Sequence, residues 1–290
     1  MLNLRPVFIP GASFIVGAFA MPANITSRKN EIVKEYRKLS ASPSCRREQG
    51  RLSLEGARLC CDAAESRLKV LSLFYTEEAA EKYGDYLKII RASSPVEYLI
   101  SQPVAQCLSE TKNQQGVFCV CNLPRENSDI PSFSDGKHYL MLENVQDPAN
   151  LGTVLRTAEA VGIGGAILTG SCCDVYSPKA LRAGMGAAFR LPVFRRENAP
   201  ETVTCLNKAG FRTLAAVPDR DAVLVTLADF SVPTVAVIGN EGNGLTDETE
   251  HACTMRVTIP MKGRAESLNA AASAAILMWE MMREKGGGRP

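Results

Sequence analysis

The last apolar segment of the chain opens with polar residues that could hold a ligand. The stretch IPMKGRAESLNAAASAAILMWEMMREK, from Ile259 to Lys285, joins a short apolar strand to a loop and then to a helix predicted to start at Ser267. Ser267 and Asn269 can accept hydrogen bonds from the free backbone N–H groups of a first helical turn. The alanines that follow let another group lie close to these turns. The pattern is typical of a binding site at a helix N-terminus, and equally of a well-capped core helix.

Two further stretches place polar residues and glycines beside apolar strands. They are LENVQDPANLGTVLRTAEAVG, from Leu142 to Gly162, and VAVIGNEGNGL, from Val235 to Leu245. The chain has no G-x-G-x-x-G and no G-x-x-x-x-G-K-[ST], so neither a Rossmann dehydrogenase nor a phosphate-loop NTPase is supported. It has no C-x-x-C pair and only 2 histidines, which argues against a zinc site. The glycines instead allow bent loops whose backbone groups approach a ligand closely.

Together, the three stretches resemble the signature motifs of the SpoU (TrmH) branch of the SPOUT RNA methyltransferases, in that family's order. The segment YSPKALRAGMGAAFRLPV, from Tyr176 to Val193, resembles the family as well. The resemblance implies an α/β fold with a C-terminal parallel sheet and a deep trefoil knot, which is a rare exception to the absence of knots in proteins. The implied activity is methyl transfer from S-adenosyl-L-methionine to a ribose 2′-hydroxyl of RNA.

The resemblance also implies which residues form the pocket for S-adenosylmethionine. In the family, the loops of the last two motifs bind this cofactor, and no metal is expected. The matching positions in this chain are Gly239, Asn240, Glu241, Gly244, Leu245, Ile259, Met261, Ser267, Leu268 and Asn269.

Arg156 matches the family's essential arginine, and Asn150 matches the asparagine that orients it. The implied catalytic set is completed by Glu241, Ser267 and Asn269. A guanidinium is almost never deprotonated in proteins, so electrostatic stabilisation of a developing alkoxide, or a base assisted by phosphate, suits Arg156. The sequence does not decide between these two roles. The alternative is that Arg156 only pairs with Glu159, three residues further along a helix.

Residues 22–124 are predicted to form a small α/β sandwich domain that binds the RNA substrate. The segments ITSRKNEIVKEYRKL, RLSLEGARL and LSETKNQQGVFCV resemble the domain that precedes the knot in many SpoU enzymes. Between residues 28 and 58 the basic residues outnumber the acidic ones, which favours phosphate contact, although a solvated helix face shows the same pattern. The residues expected to contact RNA are Arg28, Lys29, Arg46 and Arg47.

Periodicity gives the expected elements of this first domain. The predicted helices cover 25–39, 57–64 and 77–87, and the predicted strands cover 52–56, 70–75 and 117–121. Residues 125–137 are polar, contain a proline and a glycine, and are interpreted as a linker.

Residues 138–290 are predicted to form the SPOUT methyltransferase domain. The predicted strands cover 138–142, 166–169, 212–217, 234–238 and 255–259, and the predicted helices before the terminal one cover 150–161, 178–185 and 200–209. Near-continuous apolar strands that alternate with helices indicate a parallel sheet covered on both faces. Asp147 followed by a proline is a helix-start signal.

The terminal helix is expected to bury one face and to contribute to an interface. Its predicted core face consists of Leu268, Ala271, Ala272, Ala275, Ile276 and Trp279. An apolar surface that includes Met278, Trp279 and Met282 is wider than one sheet needs to cover, and the family dimerises around such helices. We therefore expect a homodimer through the C-terminal domain.

Residues 1–21 are interpreted as an N-terminal extension that is disordered or a product of an upstream start site. Its apolar run is broken by Pro10 and Gly11 and is too short to span a membrane. The 10 cysteines include adjacent pairs that do not suggest a disulfide framework. We therefore expect a cytoplasmic protein without membrane or metal partners.

The net charge of +2 does not by itself indicate a nucleic-acid-binding protein, so the functional prediction depends on the motifs. The favoured function is a ribose 2′-O-methyltransferase of large-subunit ribosomal RNA, because the chain has a substrate-binding domain rather than short terminal helices. A transfer RNA 2′-O-methyltransferase and a catalytically silent RNA-binding protein of SPOUT descent are the alternatives.

Overall fold

The computed structural model describes residues 22–283, so the interpretation of residues 1–21 lies outside the described residues. A five-stranded sheet organises the first half of these residues. Its strands are β1 (Ala23–Ile25), β2 (Arg51–Glu55), β3 (Val70–Tyr75), β4 (Glu97–Ile100) and β5 (Val117–Asn122). The helices around it are α1 (Glu31–Ala41), α2 (Pro43–Gln49), α3 (Ala57–Glu65), α4 (Glu77–Lys82), α5 (Gly84–Ser93) and α6 (Gln102–Leu108).

The first sheet has the order β1-β4-β3-β5-β2. Strand β4 pairs in parallel with β1 and β3, whereas β5 pairs antiparallel with β3 and β2. Phe74 and Phe118 pack on one face against α1 and α6, and Leu73 and Cys119 pack on the other face against α3 and α5. Helices therefore cover both faces, which is the α/β sandwich that the sequence predicts.

Two predicted helices of the first half have different limits in the structure. Residue Ile25 lies in β1, paired with Ile100, and α1 starts only after Asn30, whose side chain accepts from the Ile32 N–H. The predicted helix 77–87 is two helices, because the backbone leaves helical geometry at Tyr83. Helices α2 and α6 and strand β4 were not predicted, since each is too short to show a clear period.

The second half contains a seven-stranded sheet. Its strands are β6 (Tyr139–Glu143), β7 (Ala166–Thr169), β8 (Val193–Arg196), β9 (Arg212–Ala216), β10 (Val223–Leu224), β11 (Thr234–Ile238) and β12 (Met255–Thr258). Its helices are α7 (Pro148–Val161), α8 (Pro178–Gly184), α9 (Ala199–Lys208), α10 (Asp247–Ala252) and α11 (Ala270–Met282). The strand order is β10-β12-β9-β11-β6-β7-β8, and each neighbouring pair is parallel.

The parallel sheet predicted for this half is thus present, and the trefoil knot stays a prediction. Every residue of β6, β7 and β11 is buried. Continuous burial is the result of helices on both faces, and it explains why these strands appear in the sequence as unbroken apolar runs.

The terminal helix differs from its prediction in both its start and its buried face. It begins at Ala270 rather than Ser267, because Asn269 is the N-cap. The buried residues are Ala270, Ala271, Ala274, Leu277, Met278 and Met281. Leu268, Ile276 and Trp279 are exposed, with Trp279 at 61%. The helix is apolar on almost every side, so spacing alone could not identify the face that packs on the protein.

The two halves are joined by a partly buried ion pair. Arg46 donates from Nε and Nη2 to Asp174 Oδ2 at 3.0 and 2.6 Å. Its Nη1 donates to the carbonyl oxygens of Leu39 and Ser40 at 2.5 and 2.9 Å. Residues 125–137 are also tied to the second sheet, since the Asn127 N–H donates to the Val193 carbonyl at 3.1 Å. None of the helices between residues 22 and 283 has the length and apolarity to cross a membrane.

Candidate active site

The three motif stretches converge at the carboxyl edge of the second sheet. They include the loops after β6, β11 and β12, and the carboxyl ends of parallel strands lie at one edge, where α/β sheets bind ligands. A cleft of about 520 Å³, here called the motif cleft, opens at this edge. Of the residues predicted to bind the cofactor, those that line it are Gly239, Asn240, Glu241, Gly244, Leu245, Ile259, Met261, Ser267 and Leu268.

The loop after β11 folds back on itself through two backbone hydrogen bonds. The Asn240 N–H donates to the Gly244 carbonyl at 2.9 Å, and the Gly244 N–H donates to the Asn240 carbonyl at 3.0 Å. Gly244 has a φ of 71°, which favours glycine. At Gly239 a Cβ would overlap the backbone of Gly244 and Leu245. Only glycine therefore fits at position 239 in this loop.

Asn240 ties this loop to the first motif. Its Nδ2 donates to the Asn144 carbonyl at 2.7 Å, while its Oδ1 accepts from the Gly242 N–H at 2.8 Å. Asn144 has a left-handed φ of 55°, and its side chain accepts from the Ser171 N–H at 2.8 Å. These bonds fix the relative position of the loops after β6, β7 and β11.

Glu241 accepts hydrogen bonds from the residues at the start of α7. It accepts from the backbone N–H groups of Gln146 and Asp147 at 3.2 and 3.1 Å and from Asn150 Nδ2 at 3.0 Å. Burial raises the pKa of Glu241, but the hydrogen bond from Asn150 and those from backbone N–H groups outweigh it and lower the pKa below its ordinary value. The carboxylate therefore stays ionised and anchored at neutral pH.

Asn150 also contacts the last motif. Asn269 Nδ2 donates to Asn150 Oδ1 at 3.0 Å, and Asn269 Oδ1 accepts from the N–H groups of Ala271 and Ala272 at 2.9 and 3.3 Å. One residue from each of the three motifs is thus linked in the series Glu241, Asn150 and Asn269. The structure brings these three predicted catalytic residues together.

The other two predicted catalytic residues lie apart from this network. Arg156 is exposed, and within residues 22–283 its side chain makes no hydrogen bond or ion pair. It is on α7 with Asn150, but six residues correspond to a rise of about 9 Å and a rotation that leaves the two side chains about 120° apart. It does not line the motif cleft. Ser267 is exposed and lines the cleft.

The alternative role for Arg156, as the partner of Glu159, is wrong. Glu159 Oε1 accepts instead from Arg190 Nε at 2.8 Å. The i, i+3 spacing that suggested the pair is present, but Arg190 approaches from the segment after α8 and occupies the carboxylate.

The motif cleft is acidic. Its carboxylates are Asp219, Glu241, Asp247, Glu250 and Glu266, and Arg256 is the one cation in its described lining. Arg256 is already paired with Asp219 at 2.5 Å and Glu250 at 2.6 Å. Such a cleft attracts a cationic ligand and disfavours a phosphorylated one. Asp219 and Arg256 were not predicted from the sequence. The position of Asp219 after β9 could have indicated it, because the carboxyl end of β9 lies at the same edge of the sheet.

Lys179 is a further residue that the motifs did not single out. Its Nζ donates to Asp147 Oδ1 at 2.8 Å, and this hydrogen bond lowers the pKa of Asp147. The same oxygen accepts from the Ala149 N–H and caps α7. A Cβ at Gly152 would overlap the Ala180 carbonyl, so α7 and α8 pack very closely. This packing places the start of α8 beside the start of α7.

The four residues predicted to contact RNA differ in their exposure to solvent. The prediction for Arg46 is wrong, because its side chain is bonded to Asp174 and the residue is 2% exposed. Arg28, Lys29 and Arg47 are exposed. Arg28 Nε donates to the Pro103 carbonyl at 2.9 Å. A basic sequence run could not show which of its members the second half of the chain covers.

Comparison with protein families gives two matches along the chain. Residues 137–279 match the SpoU rRNA Methylase family, and residues 30–119 match an MRM3-like substrate binding domain. The first segment contains every strand of the second sheet, and the second contains β2, β3, β4 and the start of β5.

Whole-chain comparison gives relatives of similar length. The chain is 33% identical to an uncharacterised tRNA/rRNA methyltransferase of Synechocystis, over 91% of this chain and 94% of the relative. It is 29% identical to the 23S rRNA (guanosine(2553)-2′-O)-methyltransferase of Bacillus subtilis, over 89% and 98%. Its structure resembles the AdoMet-bound rRNA methyltransferase of Sinorhizobium meliloti with a TM-score of 0.77 at 30% identity, over 89% of this chain and 96% of the other.

Proposed function

This chain belongs to the SpoU rRNA methylase family, and we propose that it transfers a methyl group from S-adenosyl-L-methionine to a ribose 2′-hydroxyl of large-subunit ribosomal RNA. The observation that carries the proposal is the hydrogen-bonded series Glu241, Asn150 and Asn269 at the edge of the motif cleft. It joins three segments that are far apart in the chain at the place where a ligand can bind.

The motif cleft fits S-adenosylmethionine in size and charge. Its volume of about 520 Å³ falls within the usual range of small-molecule pockets. Its carboxylates suit a ligand that carries a sulfonium and an ammonium group, and the cofactor has no phosphate that they would repel. When bound, the cofactor supplies an electrophilic methyl group attached to a good leaving group.

The residues of the chain contribute mainly by positioning. The folded loop at Gly239 and Asn240 presents backbone groups to the cleft, and Glu241 with Asn150 holds that loop against the start of α7. Holding the two reactants in line accounts for much of the acceleration in a displacement of this kind. Ser267, on the opposite loop, lines the cleft, and its hydroxyl, which has no hydrogen bond to residues 22–283, can bind the cofactor.

Arg156 is the proposed electrostatic catalyst. The acceptor hydroxyl loses its proton to an adjacent RNA phosphate or to water during transfer, and a guanidinium beside it stabilises the developing alkoxide. Because a guanidinium keeps its proton, this role is preferred over that of a base. The exposed guanidinium, with no hydrogen bond to residues 22–283, can still bind a ribose oxygen or an adjacent phosphate of the RNA.

Ribosomal RNA is the proposed substrate because the match to a substrate-binding domain covers most of the first sheet. The relative from Bacillus subtilis acts on 23S rRNA and aligns over almost its whole length. Arg28, Lys29 and Arg47 are exposed on the first half and can contact phosphates.

A homodimer is part of the proposal. Ile276 and Trp279 on α11 and Leu268 just before it are exposed apolar residues, and Trp279 is 61% exposed. Exposed aromatic residues of this kind are typical of interfaces. Sedimentation at micromolar concentration should show a dimer that Trp279→Glu weakens, whereas a monomeric wild-type protein would remove this part of the proposal.

The test of the function is methyl transfer in vitro. Unmodified transcripts of large-subunit ribosomal RNA and of transfer RNA are incubated with labelled cofactor, and the 2′-O-methyl position is mapped. We expect transfer to the ribosomal transcript, and a 2′-deoxy nucleotide at the mapped position should abolish it. Transfer to transfer RNA alone would favour the first alternative. Cofactor binding without transfer to either RNA would favour a silent RNA-binding protein.

A further inference from the structure

A second cleft lies between the two halves of the molecule, separate from the motif cleft. Its volume is about 460 Å³. The first half contributes α3 and the loop 111–115, and the second half contributes the end of α8. It is called the α3–α8 cleft below. It shares no lining residue with the motif cleft.

The α3–α8 cleft combines an apolar floor with a polar, charged rim, and its lining contains three cations, Arg58, Lys112 and Arg182, and two carboxylates, Glu55 and Asp62. Leu59 and Leu181 are buried beneath it, while Arg58, Lys112 and Asn113 are exposed at its edge. Apolar side chains pack against the flat face of a base, amides bond base edges, and cations attract phosphates. The combination suits a nucleotide of single-stranded RNA better than an uncharged ligand or a bare anion.

Arg182 faces this cleft with unused hydrogen-bonding capacity. Its Nη1 and Nη2 lie 3.8 Å from Glu55 Oε2 and Glu110 Oε2, which are distances of charge pairing without a hydrogen bond. The Nη1 atom is buried and has no hydrogen-bond partner among the described residues. Unsatisfied buried donors are costly and rare, so a site that leaves one is a candidate for binding an acceptor from outside.

The cleft lies close to the proposed catalytic network. Lys179 and Arg182 are three residues apart on α8 and share one face of that helix, with a rise of about 4.5 Å between them. Lys179 bonds Asp147, whose backbone N–H donates to Glu241. An RNA strand with its reacting ribose at the motif cleft can therefore follow α8 and place a nearby nucleotide at Arg182.

We propose that the α3–α8 cleft binds one unstacked nucleotide of the RNA substrate, near the nucleotide that is methylated. The base lies on Leu59 and Leu181, Asn113 bonds its edge, and Arg182 donates to an acceptor on the base or ribose. Lys112 and Arg58 contact the flanking phosphates. The inference rests on the proposed function, because it assumes that RNA is the substrate. It makes the junction of the two halves a specificity site rather than only a structural contact.

Crosslinking with the full chain tests the position of the RNA. A large-subunit ribosomal RNA transcript containing 4-thiouridine is bound, irradiated and digested, and the crosslinked peptides are identified. Peptides that contain residues 55–62, 111–115 or 181–185 are expected among the products. Crosslinks confined to other surfaces would overturn the proposal. This measurement does not depend on methyl transfer, so it separates failure of the cleft from failure of the enzyme assignment.

Two variants on the exposed rim test how much the cleft contributes to RNA binding, and neither changes a core residue. Asn113→Trp fills the cleft, and Lys112→Ala removes a cation. Each should raise KM for RNA about tenfold, with kcat changed less than about twofold and cofactor binding unaffected. Lys88→Ala, on the exposed side of α5, is the matched control and should not change KM. An unchanged KM in Asn113→Trp would overturn the proposal, whereas a wild type that binds RNA without methylating it would instead overturn the proposed function.

Discussion

Asn269 Nδ2 donates to Asn150 Oδ1 at 3.0 Å, across 119 residues of sequence. Asn269 is at the same time the N-cap of α11, and Asn150 donates to Glu241. The bond therefore holds the N-terminal ends of the first and last helices of the second half together beside the motif cleft. The loops that line the cleft are positioned by these side chains and not only by the sheet.

Asn269→Asp separates the capping role of Asn269 from its role in the network. A carboxylate still accepts from the Ala271 and Ala272 N–H groups, so stability should stay near that of the wild type. It cannot donate to Asn150 Oδ1, and methyl transfer should fall about tenfold or more. Asn269→Ala loses both roles and should also cost about 1 kcal/mol of unfolding free energy. Normal turnover in Asn269→Asp would show that the bond to Asn150 is not needed.

Arg156→Ala should lower kcat by about a hundredfold or more, because the lost contact stabilises the transition state. The protein should remain folded and bind S-adenosylmethionine normally by calorimetry, since Arg156 does not line the motif cleft. Arg156→Lys keeps the charge but not the planar fork, so it should restore little activity. Lys208→Ala, which removes an exposed cation on α9, is the control. Near-normal kcat in Arg156→Ala would remove the catalytic role.

Glu241→Gln should destabilise the protein in a pH-dependent way. The folded-state pKa of Glu241 lies below the ordinary value of 4.5, so its carboxylate contributes stability above that pH. The contribution is lost as pH falls from 4.5 through the folded-state pKa. Denaturant unfolding should therefore show the largest difference between wild type and variant at neutral pH and a smaller one below pH 4.5. A difference that grows on acidification would contradict the role given to the hydrogen bonds from Asn150 and the backbone.

Gly239→Ala should abolish cofactor binding, even though the change is one methyl group. In the structure, a Cβ added at this position would itself overlap the backbone of Gly244 and Leu245. The loop must open to admit it. Gly263→Ala, where a Cβ meets no atom within 4 Å, is the control and should bind the cofactor normally by calorimetry. Equal binding in both variants would place the cofactor away from this loop.

Arg46 and Arg47 should behave differently although they are neighbours. Arg46→Ala leaves the partly buried Asp174 without its partner and should cost about 3 kcal/mol of unfolding free energy. Arg47→Ala should leave stability unchanged and reduce the salt dependence of RNA binding by about one unit of slope. Denaturant unfolding and filter binding at several salt concentrations measure the two effects. A stable Arg46→Ala protein with weakened RNA binding would restore the original prediction.

Local patterns in the sequence determined most of the second sheet. Strands β7 and β11 have the predicted limits, because helices cover both of their faces and every residue in them is apolar or small enough to be buried. The glycine-rich loop was also recognisable, because a tight turn restricts the residue types that can form it. The ten predicted cofactor positions came from the resemblance to the family. Nine of them line one cleft, and the tenth, Asn269, lies between two of its lining residues, Leu268 and Ala270.

Only the tertiary structure decided how distant polar groups are paired. No local pattern links Arg46 to Asp174, 128 residues away, or shows that Arg190 rather than Arg156 reaches Glu159. The buried face of α11 was equally undetermined, because a helix that is apolar all round can pack on either side. Spacing reports neighbours along a helix or strand, whereas the partner of a charged side chain depends on which segments the fold brings within a few ångströms.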